Sequence, residues 1–193
     1  MNNSMLSVRP LQASDLDLLI QYWMNAEPAF LQGMGVDLDK LPTREQWLDM
    51  LSRQLTQSYQ EKQSYAVIWE ADGEPVGHSN VSKIEYGEKA YMHLHLWQSG
   101  VRRKGMGVEL VRRSLPFYFD NLHLKTLYCE PYALNPAPNK TLQKVGFQLF
   151  DTYVGVPGWL NFEQQVNVWE LTREQFERMK MAHGLELGMR DEE

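Results

Sequence analysis

A short basic stretch with two glycines carries the clearest chemical signal in the sequence. Its residues are Arg102, Arg103, Lys104, Gly105, Met106 and Gly107. Glycine permits tight turns and close approach of a ligand, and an amphipathic, helix-like run begins directly afterwards at Val108. A helix that begins there directs unpaired N–H groups and the positive end of its dipole at the turn. The stretch therefore predicts an anion site, with phosphate as its natural ligand.

The strand-like run before this turn is polar on one face only. Side chains two residues apart share a face of a strand, so one face carries Tyr91, His93, His95 and Trp97. The opposite face is aliphatic, and we expect the polar face to line a cavity. A histidine with an ordinary pKa of about 6.5 can accept a proton at neutral pH, so His93 or His95 is a candidate base or member of a water relay. The alternative, that both histidines only line the pocket, stays open.

Composition excludes several classes of function. The net charge of −6 argues against non-specific nucleic-acid binding as the main role. Cys129 is the only cysteine, which excludes an internal disulfide framework and favours a reducing, cytoplasmic setting. No apolar run approaches the length of a membrane span, and the His-x-His pair supplies only two metal ligands, so we expect neither membrane insertion nor a metal site.

Periodicity predicts a single α/β domain over residues 1–193 with about seven strands. The predicted strands are Met5–Leu11, Ser64–Glu70, Pro75–Ile84, Ala90–Trp97, Lys125–Glu130, Phe147–Val154 and Gln165–Leu171. Reciprocal capping pairs predict three helix starts, at Ser14–Asp17, Thr43–Gln46 and Thr172–Gln175. A short helix is expected over Asn139–Val145, with Gly146 as its stop. Glu27–Pro42 is expected to be a loop, and Pro116 to kink or end the helix that follows the basic turn.

This order of elements resembles the GCN5-related N-acetyltransferase (GNAT) family. The basic turn matches the family's (Arg/Gln)-x-x-Gly-x-(Gly/Ala) motif, which holds the pyrophosphate of acetyl-CoA. Asn135 and the run Lys144–Phe147 match a second family block, in a form similar to the RimJ/RimL-like branch that acetylates protein N-termini and other amines. The resemblance implies a mostly antiparallel mixed sheet, flanked by helices and splayed between its fourth and fifth strands.

The resemblance also assigns roles around acetyl-CoA. The basic turn would hold the pyrophosphate, and the pantetheine arm would lie between the splayed strands. That implies backbone contacts from Leu96, Trp97 and Gln98 and side-chain contacts from Asn135 and Asn139. Asn135 is equally explained as a turn residue at the start of a helix.

Two catalytic positions depart from the family pattern. Many relatives use a glutamate on the fourth strand, whereas no acidic residue lies between Ala90 and Trp97. Many also use a tyrosine four residues before the glycine of the Gly-Phe pair, and Leu142 stands there. Tyr132, Tyr128 or a solvent-derived proton are the open substitutes for the acid. Cys129 could act as a nucleophile, but the favoured interpretation is that it is a small buried hydrophobic residue in a strand.

The acceptor is expected to be a small amine or a peptide N-terminus. Candidate acceptor contacts are Phe30, Tyr91, Glu130 and Trp159, from the fourth and fifth strands and from two loops, Glu27–Pro42 and Gly155–Phe162. Two rival interpretations remain: a non-catalytic acyl-CoA-binding domain, and a nucleotide- or phosphate-binding protein. The expected assembly is a monomer or a homodimer.

Overall fold

The computed structural model describes residues 5–97 and 105–183. Its strands are β1 Leu6–Pro10, β2 Ser64–Ala71, β3 Glu74–Glu85, β4 Lys89–Leu96, β5 Thr126–Cys129, β6 Gln148–Gly155 and β7 Gln164–Thr172. Its α-helices are α1 Leu16–Met24, α2 Pro28–Gly33, α3 Arg44–Thr56, α4 Met106–Leu122, α5 Pro136–Val145 and α6 Arg173–His183. Two 3-10 turns, Ala13–Asp15 and Leu38–Lys40, complete the described elements.

One seven-stranded sheet organises the fold. Its strand order is β1-β2-β3-β4-β5-β7-β6. Every neighbouring pair is antiparallel except β4 and β5, which run parallel. The expected mixed α/β architecture of about seven strands is therefore confirmed.

Helices cover both faces of the sheet. The larger core lies on the α4 side, where Leu110, Leu115 and Phe119 of α4 are fully buried and Phe176 of α6 packs in the same cluster. Two smaller clusters lie on the opposite side beneath α1 and α3, around Leu19 and the aromatic residues Trp23 and Trp47. No helix within the described ranges is long and apolar enough to cross a membrane.

Some local predictions hold and others are wrong. The reciprocal Thr43–Gln46 and Thr172–Gln175 caps form as expected. At the first helix, the reciprocal bonds instead join Gln12 and Asp15, because a 3-10 turn precedes α1. The expected loop Glu27–Pro42 contains α2, which is too short to show a helical period.

Two helix boundaries also differ from expectation. Helix α4 runs through Pro116, since burial of its neighbours Leu115 and Tyr118 outweighs the cost of about 3 kcal/mol for an interior proline. Helix α5 begins at Pro136, because the fixed backbone angle of proline suits a first helical position. It ends at Gly146 as predicted, and the φ of 120° there suits glycine.

Candidate active site

The two parallel strands at the centre of the sheet, β4 and β5, are paired over only part of their length. The β4–β5 ladder joins Lys89–Tyr91 to Thr126–Tyr128, whereas β4 itself continues to Leu96 along β3. Strand β5 ends at Cys129 and its extension follows β7 instead, through the Tyr132–Val166 bridge. The strands therefore open into a cleft beyond the Tyr91–Tyr128 pair.

Strand β4 presents a different chemistry on each face, as its alternation predicted. Met92 is 0% exposed in the core on the α4 side. The side chains of Tyr91, His93 and His95 are partly exposed on the other face, which α1 approaches. We call this the acceptor face. On the facing strand β3, His78, Asn80 and Ser82 are register partners of His95, His93 and Tyr91, so the polar face spans two strands.

His93 is held by a neighbouring hydroxyl. Its Nε2 lies 2.9 Å from Ser82 Oγ. Burial, followed by the positive charge of Lys83, lowers the pKa of His93 to about 4. The pKa of His93 thus lies below the ordinary histidine value of about 6.5 expected from the sequence, because burial disfavours the charged ring. His93 is therefore neutral at pH 7, so one of its ring nitrogens carries no proton, but it is a weaker base than an ordinary histidine.

His95 belongs to an aromatic cluster. Its ring stacks on His78 with centroids 4.6 Å apart, and its Nδ1 lies 3.2 Å from the Tyr22 hydroxyl. Trp97 Nε1 donates a 2.8 Å bond to His78 Nδ1, which fixes the neutral tautomer of that ring. Burial lowers the pKa of His95 well below its usual value and that of His78 to about 3. Both rings are therefore uncharged at neutral pH.

Glu130 and Tyr91, two predicted acceptor contacts, lie in one group of side chains. Tyr91 stacks on Tyr128 at 5.4 Å between centroids. The Glu130 carboxylate accepts a 3.2 Å bond from the Tyr153 hydroxyl and lies 3.4 Å from the ammonium of Lys83. The structure thus places a carboxylate and three phenol rings beside the end of β5.

The two loops expected to contact the acceptor are joined to each other. The Gly35 carbonyl accepts hydrogen bonds from the side chains of Asn161 and Gln164, at 2.9 and 2.8 Å. Asp37 N–H donates to the Leu160 carbonyl at 2.8 Å. Residues from Glu27–Pro42 and Gly155–Phe162 therefore act as one unit over the acceptor face.

The other two predicted acceptor contacts lie in this unit. Phe30 packs edge-on against Tyr22, with centroids 6.4 Å apart. Trp159 is 57% exposed and lies 6.0 Å from Trp47. Phe30 therefore approaches His95 through Tyr22, whereas Trp159 lies at the rim.

An apolar cavity of about 360 Å³ lies under the same unit. It is lined by Trp23, Met24, Ala26, Pro28, Leu31, Leu38, Leu41, Pro42 and Trp47. Trp23 stacks on Trp47 and also contacts His95, with centroids 5.0 Å apart. One indole ring thus separates this cavity from the histidine face.

The described part of the basic turn, Gly105–Gly107, has the backbone geometry of a tight turn into a helix. Gly105 precedes α4 with a φ of 71°, a left-handed conformation that favours glycine. Met106 and Gly107 form the first turn of α4, whose N–H groups point out of the helix end. The predicted contacts Gln98, Arg102, Arg103 and Lys104 lie outside the described residues.

The backbone N–H groups at the end of β4 point alternately toward β3 and toward the cleft. Trp97 N–H donates a 3.0 Å bond to the Val76 carbonyl, so it faces β3. Successive residues of a strand direct their N–H groups to opposite edges, and those of Leu94 and Leu96 therefore point toward the cleft. The predicted backbone contact from Leu96 suits this geometry better than the one from Trp97.

The side chains of Asn135 and Asn139 both form hydrogen bonds within the protein. Asn135 caps α5, its side-chain oxygen accepting from Ala137 N–H at 3.4 Å. The Asn139 amide donates to the carbonyls of Tyr132 and Asn135, and its oxygen accepts from Asn167 and Trp169. Because all four hydrogen-bonding positions of Asn139 are used, these contacts indicate a structural role.

The candidate proton donor, Tyr132, has an aromatic neighbour. Tyr132 packs edge-on against Phe162, with centroids 5.8 Å apart. Leu142, which replaces the tyrosine of many relatives, is fully buried. Cys129 is also buried, and burial raises the pKa of its thiol, which makes it a poor nucleophile.

Four residues around the site were not anticipated: Tyr22, His78, Ser82 and Lys83. The polar alternation of β3 could have identified His78 and Ser82, since it matches that of β4. Tyr22 adjoins a buried helical stripe and gave no separate signal. Within the described residues, no group of three His, Cys, Asp or Glu side chains is placed to hold a metal ion.

Known proteins with a similar sequence pattern or a similar fold include acetyltransferases. A family model described as an acetyltransferase (GNAT) domain matches residues 6–148. Curated protein sequences give no match. Among solved structures, the spermidine N-acetyltransferase of Vibrio cholerae in complex with CoA and spermine is 16% identical with a TM-score of 0.66, over 89% of this chain and 98% of that one.

Two other solved structures with CoA bound are similar in fold. RimL, a ribosomal L7/L12 alpha-N-protein acetyltransferase, is 15% identical with a TM-score of 0.72, over 90% of this chain and 97% of that one. The aminoglycoside acetyltransferase AAC(6')-Ib is 18% identical with a TM-score of 0.68, over 90% of this chain and 98% of that one. With the family model spanning most of the sequence and the splayed β4–β5 pair at its centre, the chain belongs to the GNAT acetyltransferase family.

Proposed function

We propose that this protein is an acetyl-CoA-dependent N-acetyltransferase, which transfers the acetyl group directly to a primary amine of a small molecule or of a peptide or protein N-terminus. The observation that carries the proposal is the cleft beyond the Tyr91–Tyr128 pair, which opens beside His93 and His95 on the acceptor face. An acyl donor in the cleft and an amine on this face would meet at the middle of β4.

The residues at the cleft suit coenzyme A. Gly105, Met106 and Gly107 would bind its pyrophosphate through the N–H groups of the α4 terminus, with Arg102, Arg103 and Lys104 available for its phosphates. The N–H group of Leu94, which faces the cleft, is suited to polarise a carbonyl oxygen, and the backbone of Leu96 stays our predicted contact for the pantetheine arm. Acetyl-CoA would supply the activated thioester.

The acceptor must lose a proton to become a nucleophile. His93 and His95 are both neutral at pH 7, since burial lowers the pKa of each. His93 is the better placed to receive the proton, directly or through water, because its hydrogen-bonding partner is a single hydroxyl. His95 is enclosed by Tyr22, Trp23 and His78, which favours a positioning role.

The departing thiolate needs a proton. Tyr132 stays our candidate, with Tyr128 and solvent as alternatives. A ping-pong route through Cys129 is disfavoured because burial raises the pKa of that thiol. Direct attack of the amine is therefore proposed.

The test is release of free CoA thiol from acetyl-CoA in the presence of a panel of primary amines and peptides. We expect thiol release that depends on the acceptor, with the acetylated product identified by mass spectrometry. A tertiary amine matched to the best acceptor is the control, since it has no proton to exchange for an acetyl group. CoA binding without turnover on any acceptor would contradict the proposal.

A non-catalytic acyl-CoA-binding domain is the second candidate function. It is favoured by the absence of an acidic residue between Ala90 and Trp97 and by Leu142 at the usual tyrosine position.

ATP that competes with CoA in thermal-shift titrations would instead favour a general phosphate site. Saturation at about 100 times the dissociation constant stabilises a protein by about 2.7 kcal/mol, so both ligands can be compared on one scale.

We also propose that the chain belongs to the RimJ/RimL-like branch, acts in the cytoplasm and is a monomer or homodimer. The Asn135 and Lys144–Phe147 block supports the branch, and the single reduced cysteine supports the compartment. Acetylation of a panel of peptide N-termini, cell fractionation and light scattering test the three statements separately.

A further inference from the structure

Lys83 has a backbone conformation that is rare for lysine. Its φ is 47°, and the β3–β4 register shifts between Ser82 and Glu85. In a regular strand, Lys83 would project to the α4 side, because Ser82 projects to the acceptor face. The bulge instead brings Lys83 to the acceptor face, and Ile84 packs with the core on the α4 side. A strained residue kept at such a position is a reason to look for a role.

The Lys83 ammonium occupies a site made for a cation. It lies 4.6 Å from the centre of the Tyr91 ring. It donates a 2.5 Å hydrogen bond to the Pro157 carbonyl and lies 3.4 Å from Glu130 Oε2. An aromatic face, a carbonyl and a carboxylate are the groups that bind ammonium ions in proteins.

Glu130 and Tyr91, which line this site, are less exposed than the Lys83 side chain that occupies it and have further contacts of their own. The Glu130 side chain is 13% exposed and is also bound by the Tyr153 hydroxyl, whereas the Lys83 side chain is 50% exposed. The Tyr91 ring is also held by its stack on Tyr128. A half-exposed lysine can leave the site without disturbing these groups.

The site adjoins the proposed reaction centre. Tyr91 and His93 project from the same face of β4, and Glu130 directly follows the last residue of β5. The charge of Lys83 also lowers the pKa of His93, as expected for neighbours. A second ammonium group carried by an acceptor amine bound at His93 would reach this site.

We propose that the Tyr91 ring, the Glu130 carboxylate and the Pro157 carbonyl form an ammonium subsite, and that Lys83 fills it from within, so that the protein selects acceptors with one ammonium group over polyamines. The proposal rests on the acceptor face of the proposed function. The subsite holds one cation, and an incoming ammonium must displace that of Lys83 or meet its repulsion.

The test compares binding of 1,4-diaminobutane and butylamine to the CoA-bound protein by calorimetry. In the parent protein we expect butylamine to bind more tightly than the diamine, because the second ammonium group of the diamine meets that of Lys83. In Lys83→Met the preference for the diamine should rise about tenfold, which corresponds to about 1.4 kcal/mol. Lys83→Gly should show the same rise, and its left-handed backbone suits glycine, so folding is preserved.

Two further variants locate the effect. Glu130→Gln added to Lys83→Met should abolish the gained preference for the diamine. Lys125→Met removes a lysine of equal charge that pairs with Glu88 at the other end of β5, and it should leave the preference unchanged. An unchanged preference in both Lys83 variants, or no binding of the diamine to either, would overturn the proposal.

The measurement also separates the subsite from the proposed reaction. Binding requires no acetyl transfer, so a changed preference with no turnover on any amine leaves the subsite standing and removes the acetyltransferase proposal. Turnover on amines with an unchanged preference removes the subsite and leaves the acetyltransferase proposal standing.

Discussion

The two faces of strand β4 differ in what surrounds them. On the α4 side, Met92 enters a large apolar cluster in which Leu110 and Leu115 are fully buried. On the acceptor face, His93 and His95 contact hydroxyl groups, aromatic rings and His78 of the neighbouring strand β3. One strand thus serves stability on one side and proposed chemistry on the other, so substitutions on the two sides should have separable effects.

The sharpest test of this division is His93→Ala. If His93 receives the acceptor's proton, turnover should fall by about 10²–10⁴-fold, the usual contribution of a positioned base. The melting temperature and CoA affinity should change little, because His93 lies on the acceptor face and outside the basic turn Arg102–Gly107. Steady-state kinetics with the best amine, together with a thermal melt, measures both quantities.

His95→Ala is the matched comparison for this variant. His95 lies two residues further along the same face, inside the aromatic cluster, so its loss should lower stability as well as turnover. Retention of the parent rate and pH–rate profile by both variants would remove the histidines from the mechanism.

On the opposite side, Leu115→Ala should lower the free energy of unfolding by about 2–5 kcal/mol, the cost of a leucine-sized cavity in a closed core. The turnover number of the folded protein should stay within a few-fold of the parent. Chemical denaturation and low-temperature kinetics give the two values. Leu18→Ala, at a partly exposed position on α1, is the control and should change stability by less than about 0.5 kcal/mol. A loss of turnover as large as that of His93→Ala would break the comparison.

Acid should affect the acceptor face before the apolar core. The folded pKa values of His78 and His93, about 3 and about 4, lie below the unfolded value near 6.5. Between these values the unfolded chain binds protons that the folded protein does not. Stability is therefore complete above about pH 6.5 and falls as the pH drops toward 4, by up to about 1.4 kcal/mol per pH unit for each histidine.

Denaturation midpoints between pH 7 and 4.5 test this dependence. His78→Phe keeps an aromatic ring but cannot titrate, so it should flatten the slope even though it costs Trp97 its acceptor. A slope unchanged in His78→Phe would show that carboxylates, not this histidine, control acid stability.

The sequence carried the local features of the two faces and missed those set by tertiary contacts. Alternation on β4 predicted which side chains share a face, because a period of two is a property of the strand itself. The pKa of His93 depends on water excluded by distant elements, and the mutual binding of the acceptor loops depends on Gly35 and Asn161, far apart in the sequence. The left-handed backbone conformation of Lys83 could not be predicted from the sequence, because lysine has no preference for that conformation.

Within the acceptor face, the rim should contribute less than the centre, and Trp159→Ala measures how much. Trp159 is 57% exposed and contacts Trp47 at the edge of the joined loops. Its loss should raise KM a few-fold for bulky acceptors, leave kcat unchanged and alter the free energy of unfolding by less than about 0.5 kcal/mol. Leu149→Ala, at a similarly exposed apolar position on β6, should leave KM unchanged. A KM unaffected by Trp159→Ala for every acceptor would restrict recognition to the half-buried part of the face, where Tyr22, Tyr91 and Glu130 lie.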